Sequence, residues 1–183
     1  QWATNKLQDV CIRNYGYSNR ALHNTLIDTI KKHGDRQNKT TNVKAYMTDY
    51  KMHNEPGFKD VVNMALEISN LIAKEKYNNT QMFGIVEDLW GMIYRHGDYA
   101  ISHDHWPAVF SGVYYIKVPK ELKGGELYFP HFNKKIVPSE GLLVIFDGHV
   151  QHEVLELKGE GERMAVAFNI RTGWNQSVYE NNR

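Results

Sequence analysis

The chain changes its hydrophobic rhythm near residue 80. Before that point apolar residues recur at helical intervals. Leu22, Leu26, Ile27 and Ile30 share one face of a helix predicted over 22–32, with Gly34 as its stop. A longer helix is predicted over 58–75, where Val61, Ala65, Ile68 and Ile72 form a stripe flanked by Val62, Leu66 and Leu71. Such a face needs a sheet to pack on and no chemistry to explain it. Pro56-Gly57 punctuates its start. The intervening residues 35–56 are polar and read as a long loop, either a lid or recognition loop or a tolerated surface insertion. Residues 1–20 read as an extended edge or lead-in.

Beyond residue 80 the pattern becomes short and strand-like. Strands are predicted around 82–95, 108–118, 126–129, 142–147, 151–157 and 163–170, separated by Gly, Pro, Asp or Asn. Gly124-Gly125 marks a tight turn and Glu160-Gly161-Glu162 an exposed one. Helices followed by many strands predict a mainly β fold in one domain over 1–183. Residues 1–80 then supply helical support and loop, and residues 81–175 a sandwich or barrel core.

Composition narrows the classes of partner. A chain of 183 residues, 42% hydrophobic, can bury a sizeable core. Its 22 basic and 21 acidic side chains leave a formal charge of +1, which gives no electrostatic reason to expect nucleic acid. Cys11 is the single cysteine, so neither an internal disulfide nor a cysteine metal cluster can form, which suits a reducing compartment. No apolar run approaches the roughly eighteen residues of a membrane span, and no secretory signal is visible. A cytoplasmic protein, monomeric or a small homo-oligomer, is the expectation.

The chemistry concentrates in the second half. His103 and His105 stand two residues apart, so on an extended strand both imidazoles face the same side. His152 returns on a later strand and completes a three-ligand face suited to Fe(II), Zn and related metals. The usual oxygenase arrangement is two histidines and one carboxylate. Asp104 and Asp147 are therefore alternative ligands, if a turn or bulge redirects either one. His131 and His149 are left outside this set. Arg163 opens the apolar run Arg-Met-Ala-Val-Ala-Phe-Asn-Ile. Inside a barrel its guanidinium needs an anion, and it can hold a carboxylate through two parallel hydrogen bonds. Alternatively it pairs with Glu160 or Glu162 at the edge of the sheet.

The ordered runs Gly97-Asp98-Tyr99, His103-Asp104-His105-Trp106-Pro107, Ser111-Gly112-Val113-Tyr114-Tyr115 and Gly124-Gly125-Glu126-Leu127 are distinctive in combination. They are followed by Pro138 to Phe146, His152-Glu153-Val154 and Arg163 to Asn169. Over roughly residues 85–170 the chain resembles the 2-oxoglutarate/Fe(II)-dependent oxygenases of the kind found in marine bacteria and their phages. The resemblance implies a double-stranded β-helix, or jelly-roll, core and the cofactors Fe(II) and 2-oxoglutarate. It implies consumption of molecular oxygen, release of succinate and carbon dioxide, and hydroxylation of a small-molecule or peptidyl substrate that the pattern does not identify. It maps iron binding to His103, His105 and His152, and the clamp on the remote carboxylate of 2-oxoglutarate to Arg163.

Two positions depart from the family pattern. His105 stands where a carboxylate is usual, and Ala165 stands where a serine often assists the arginine. Tyr94, Tyr115 and Tyr128 are candidates for the missing hydroxyl, with Tyr115 favoured by its Ser-Gly-Val-Tyr-Tyr context. Two rival readings are a cupin-like metal enzyme that uses no 2-oxoglutarate, and a noncatalytic jelly-roll module with Trp90, Trp106 and Trp174 lining a sugar or peptide surface.

Overall fold

A computed structural model describes residues 3–5, 11–33, 36–39, 42–78 and 82–174. The first third contributes strands β1 (Ala3–Asn5), β2 (Ile12–Gly16), β3 (Arg36–Lys39) and β4 (Val43–Met47), with helices α1 (Arg20–His33) and α2 (Phe58–Tyr77). The remainder is β: β5 (Met82–Tyr94), β6 (Tyr99–His103), β7 (Phe110–Lys117), β8 (Lys123–Gly124) and β9 (Leu127–Phe129). They are followed by β10 (Lys134–Ile136), β11 (Leu142–Asp147), β12 (His152–Val154), β13 (Leu157–Lys158) and β14 (Arg163–Trp174).

One antiparallel sheet runs in the order β1-β2-β11-β7-β14-β5-β4-β6-β12-β9-β10, with β3 added on β4, and it curls over itself as a double-stranded β-helix. β4 makes the fold-over possible, because Tyr46 and Met47 pair with β5 while Val43 and Lys44 pair with β6. The expected loop at 35–56 thus contains a hairpin that joins the two halves of the sheet, and the expected helical support also supplies strands. The polar sequence concealed β4 because only Ala45 and Met47 are buried in it, and five residues barely display an alternation. Gly34, the expected stop of α1, lies outside the described residues.

Period-two alternation divides the interior into two cores. On β14, Met164, Val166, Phe168 and Ile170 join the core beneath the helices, whereas Ala165 and Ala167 face the inside of the curl. β7 does the same with Tyr114 and Ile116 against Val113 and Tyr115, and β11 with Leu143 and Ile145 against Val144 and Phe146.

The helix-side core is closed by Leu22, Leu26 and Ile30 of α1 and by Val61, Ala65, Ile68 and Ile72 of α2. Asn19 starts α1 by accepting the Leu22 N–H on its side chain at 3.0 Å. Lys31 and Lys32 lie in its last turn, cations placed favourably at the negative end of the helix dipole. Gly91 lets α1 approach β5, since a Cβ there would stand 2.4 Å from the Ile30 side chain. The Tyr114 hydroxyl donates to the Tyr17 carbonyl at 2.8 Å and meets His23 Nε2 at 2.5 Å, tying α1 to the sheet. Among the described residues no helix is long and apolar enough to cross a membrane.

Candidate metal and cosubstrate site

The inner core surrounds a cavity of about 460 Å³. His103 ends β6 and His152 begins β12, and the two residues pair directly across the strands. A register shift between His152 and Val154 follows immediately. Their ring centroids lie 4.4 Å apart. His105 reaches the same point by another route. The strand stops at His103, and His105 lies in the loop beyond it, held by donation of its backbone N–H to the Gly148 carbonyl at 2.9 Å. Its ring centroid is 5.0 Å from each of the other two. The two side chains therefore converge through an irregular segment, where continuous extended alternation was expected. One ligating atom from each histidine falls within 4.8 Å of the other two, so the three can converge on one ion.

The local backbone orients two of these imidazoles. His103 Nδ1 lies 2.7 Å from the Ile101 carbonyl, and His152 Nδ1 lies 3.0 Å from the Val150 carbonyl. A carbonyl only accepts, so each Nδ1 carries the proton and each Nε2 keeps its lone pair for a metal. Burial, helped by the neighbouring His103, pushes His152 down to about 3 and His105 down to about 4. Both are neutral near pH 7, as metal ligands must be.

That shift has a sign. Below the unfolded histidine value of about 6.5, the unfolded chain binds protons that the folded one refuses at these two sites. Metal-free protein is thus expected to lose stability as pH falls from about 6.5 towards 4. Denaturant unfolding across that range, with and without His105→Gln, checks it. An identical slope in both proteins would assign the effect elsewhere.

The alternative carboxylates are engaged elsewhere. Asp104 accepts the Trp106 N–H at 3.0 Å and the Gln151 amide at 2.9 Å, bracing the loop that carries His105. Asp147 continues the helix-facing parity of Leu143 and Ile145 and pairs with Lys76 of α2 at 2.9 Å. His131 and His149 are exposed.

Arg163 lies in the same cavity and is 3% exposed. One Nη1–H donates to the Gly125 carbonyl, and Nε has no partner. The guanidinium carbon sits 4.8 Å from the Tyr94 ring centroid and 5.4 Å from that of Tyr115. Glu162 does not neutralise it, because that carboxylate pairs with Arg95 at 2.6 Å and Lys31 at 3.8 Å. Among the described residues no carboxylate bridges to Arg163. A buried, unpaired guanidinium with an orphaned N–H is costly unless an anion arrives. Burial raises both tyrosines, although Arg163 opposes it, so their phenols stay protonated and able to donate.

Tyr115, the favoured candidate for the missing hydroxyl, thus lines the cavity beside Arg163, and Tyr94 stands nearer to it. Tyr128 does not line the cavity, and its hydroxyl lies 3.1 Å from Asn133. Gly125 has φ 74°, and a Cβ there would strike Arg163 Nη1, so glycine is required on both counts.

The cavity lining also holds a group that the reading of the sequence passed over. Ser111, Asn169 and Asp88 are paired neighbours on β7, β14 and β5 and form one hydrogen-bonded row. Stepping by two from Arg163 along β14 would have found Asn169. Its neighbours could be found only with the strand register. Tyr50 meets Trp90 edge-on at 5.1 Å, and Trp90 lies 6.2 Å from His105. Trp106 is 75% exposed and does not line the cavity, and the Trp174 side chain lies outside the described residues.

Residues 89–171 match the 2OG-Fe(II) oxygenase superfamily. Among curated proteins no sequence relative was found. The fold resembles the viral collagen prolyl hydroxylase of Paramecium Bursaria Chlorella virus-1, solved as a 2OG complex. Identity is 21% over 87% of this chain and 94% of that one, with a TM-score of 0.66. It also resembles a Pseudomonas putida prolyl-4-hydroxylase, at 17% identity over 94% and 93% of the two chains and a TM-score of 0.63. A Burkholderia pseudomallei oxidoreductase of the 2OG-Fe(II) oxygenase family matches at 14% identity over 70% and 65%, with a TM-score of 0.53.

Proposed function

We propose that this chain, a 2OG-Fe(II) oxygenase whose superfamily domain spans residues 89–171, binds iron through His103, His105 and His152 and clamps 2-oxoglutarate through Arg163. One observation carries the reading. Three imidazoles, two with Nε2 oriented for a metal, share a cavity with a buried arginine that has no carboxylate partner. Residues 1–80 brace the core formed by 81–175, so that 1–183 acts as one domain.

Bound together, Fe(II) and 2-oxoglutarate supply the oxidation: dioxygen is consumed, the keto acid leaves as succinate and carbon dioxide, and a substrate C–H becomes C–OH. The protein arranges the participants. The Ile101 and Val150 carbonyls fix the tautomers of His103 and His152. Arg163 holds the remote carboxylate, with Tyr94 and Tyr115 replacing the serine hydroxyl absent at Ala165. The inner apolar wall, including Leu127, Phe146 and Val154, keeps bulk water from the reacting face.

The substrate is peptidyl in this proposal. Support comes from two solved structures of the same fold, which are prolyl hydroxylases, one of them a viral collagen prolyl hydroxylase. His105 favours one rival, a three-histidine metal enzyme that needs no 2-oxoglutarate, but that rival leaves the buried Arg163 without an anion. Anaerobic titration of Fe(II)-loaded protein with 2-oxoglutarate, read by metal-to-ligand absorption, separates the two. Saturable binding seen only with iron is the expected result. Oxygen consumption without binding or loss of 2-oxoglutarate would favour the rival.

A further inference from the structure

The Ser111–Asn169–Asp88 row in the cavity lining has unused hydrogen-bonding capacity with a defined polarity. Ser111 Oγ donates to Asn169 Oδ1 at 2.6 Å. Asn169 Nδ2 donates to Asp88 Oδ2 at 3.2 Å, and Asp88 Oδ1 receives Lys51 Nζ at 3.1 Å. The directions follow from the inventory of each group. Asn169 Nδ2 keeps a second N–H to give, while Asp88 keeps lone pairs to accept. The site therefore presents one donor beside one acceptor.

Its placement is specific. Asn169 lies six residues along β14 from Arg163, roughly 20 Å at about 3.3 Å per residue, and both line the cavity. Between them the inward positions are Ala165 and Ala167, which leave the floor open. Ala167 pairs with Trp90, the residue beside His105, so the row lies one inward step past the metal face, on the side away from Arg163. The sheet register also shifts between Asn169 and Ile170, a device that re-aims side chains next to binding sites. Trp90 Nε1, buried without a partner, adds an unsatisfied donor on the adjacent strand.

We infer that Asn169 and Asp88 form a substrate subsite for a neutral secondary amide. Asn169 Nδ2–H donates to the amide carbonyl, and Asp88 accepts the amide N–H. As substrate recognition this rests on the oxygenase reading, and it specifies which part of a peptidyl substrate is held. A cationic group fits less well, because Lys51 already neutralises Asp88. The Tyr50 and Trp90 rings offer an apolar wall to the residue that the amide belongs to.

The test uses the full chain loaded with Zn(II), a redox-inactive stand-in, and saturated with 2-oxoglutarate. It is titrated with acetyl-proline N-methylamide while the Asn169 side-chain amide signals are followed by NMR. Saturable shifts of those signals are expected. Acetyl-proline methyl ester, which lacks the N–H, should bind about tenfold more weakly, the worth of one hydrogen bond. Asn169→Leu should weaken the amide by a similar factor. If that variant does not fold, Asp88→Ala carries the test, with the amide's advantage over the ester lost. Equal affinity of amide and ester with unmoved Asn169 signals would overturn the inference. So would the absence of saturable binding, or a preference for propylammonium. The iron-dependent 2-oxoglutarate titration on the same wild-type protein keeps the two readings apart. Its failure removes the oxygenase assignment, while amide binding that depends on Asn169 would still stand.

Discussion

Replacing His152 with alanine is expected to bring iron-dependent succinate formation down to the level of metal-free protein. His152 is 5% exposed, faces His103 directly across β6 and β12, and donates from Nδ1 to the Val150 carbonyl. Its removal takes away one of three converging nitrogens, and no carboxylate is placed to substitute, because Asp104 and Asp147 are held by Gln151 and Lys76. The loss should appear first as weaker iron binding in a chelator competition, and only then as lost turnover. His103→Ala should behave alike, whereas the exposed His149→Ala should retain full activity. Iron-dependent turnover surviving in both the His103 and His152 variants would remove the ligand assignment.

The second large effect separates binding from stability. Arg163→Met should weaken 2-oxoglutarate by about 10- to 100-fold, since a hydrogen bond to a charged group is worth roughly 1.5–3 kcal/mol and each 1.4 kcal/mol is tenfold. The same variant should leave the unliganded fold at least as stable as the parent. It deletes a buried cation that has no carboxylate partner among the described residues, and Met fills much of the vacated volume. Thermal unfolding with increasing 2-oxoglutarate shows both effects at once: the parent's midpoint climbs with ligand, and the variant starts no lower but climbs only at about 10- to 100-fold higher concentration. A variant that is destabilised yet binds normally would make Arg163 a structural residue.

The site was more legible than its supports. His103 was visible through its two-residue spacing to His105, His152 through its place on a later strand-like run, and Arg163 through the histidine context and the resemblance to the oxygenases. Arg163 had two credible partners in Glu160 and Glu162. Only the fold shows that Glu162 turns towards Arg95 and Lys31, leaving the arginine to the cavity. The convergence of His105 was foreseen for an incomplete reason, because the backbone leaves the strand after His103. β4 escaped because Lys44 and Tyr46 cover its outer face, and its pairing with two distant strands leaves no local trace. The Ser111–Asn169–Asp88 row spans three strands far apart in sequence, so no window along the chain contains it.

The alternation of β14 has an evolutionary consequence. Arg163, Ala167 and Asn169 line the chamber and Ala165 joins the inner core, whereas Met164, Val166, Phe168 and Ile170 pack into the core beneath the helices. Substitutions can retune either series alone, so ligand preference and thermal tolerance can drift independently. A single-residue insertion or deletion inside this strand would exchange the two series, turning Val166 towards the chamber and Arg163 towards the helices. Lineages descending from this sequence should therefore accumulate replacements here freely, while length changes are purged from the strand and collect in turns such as 159–161.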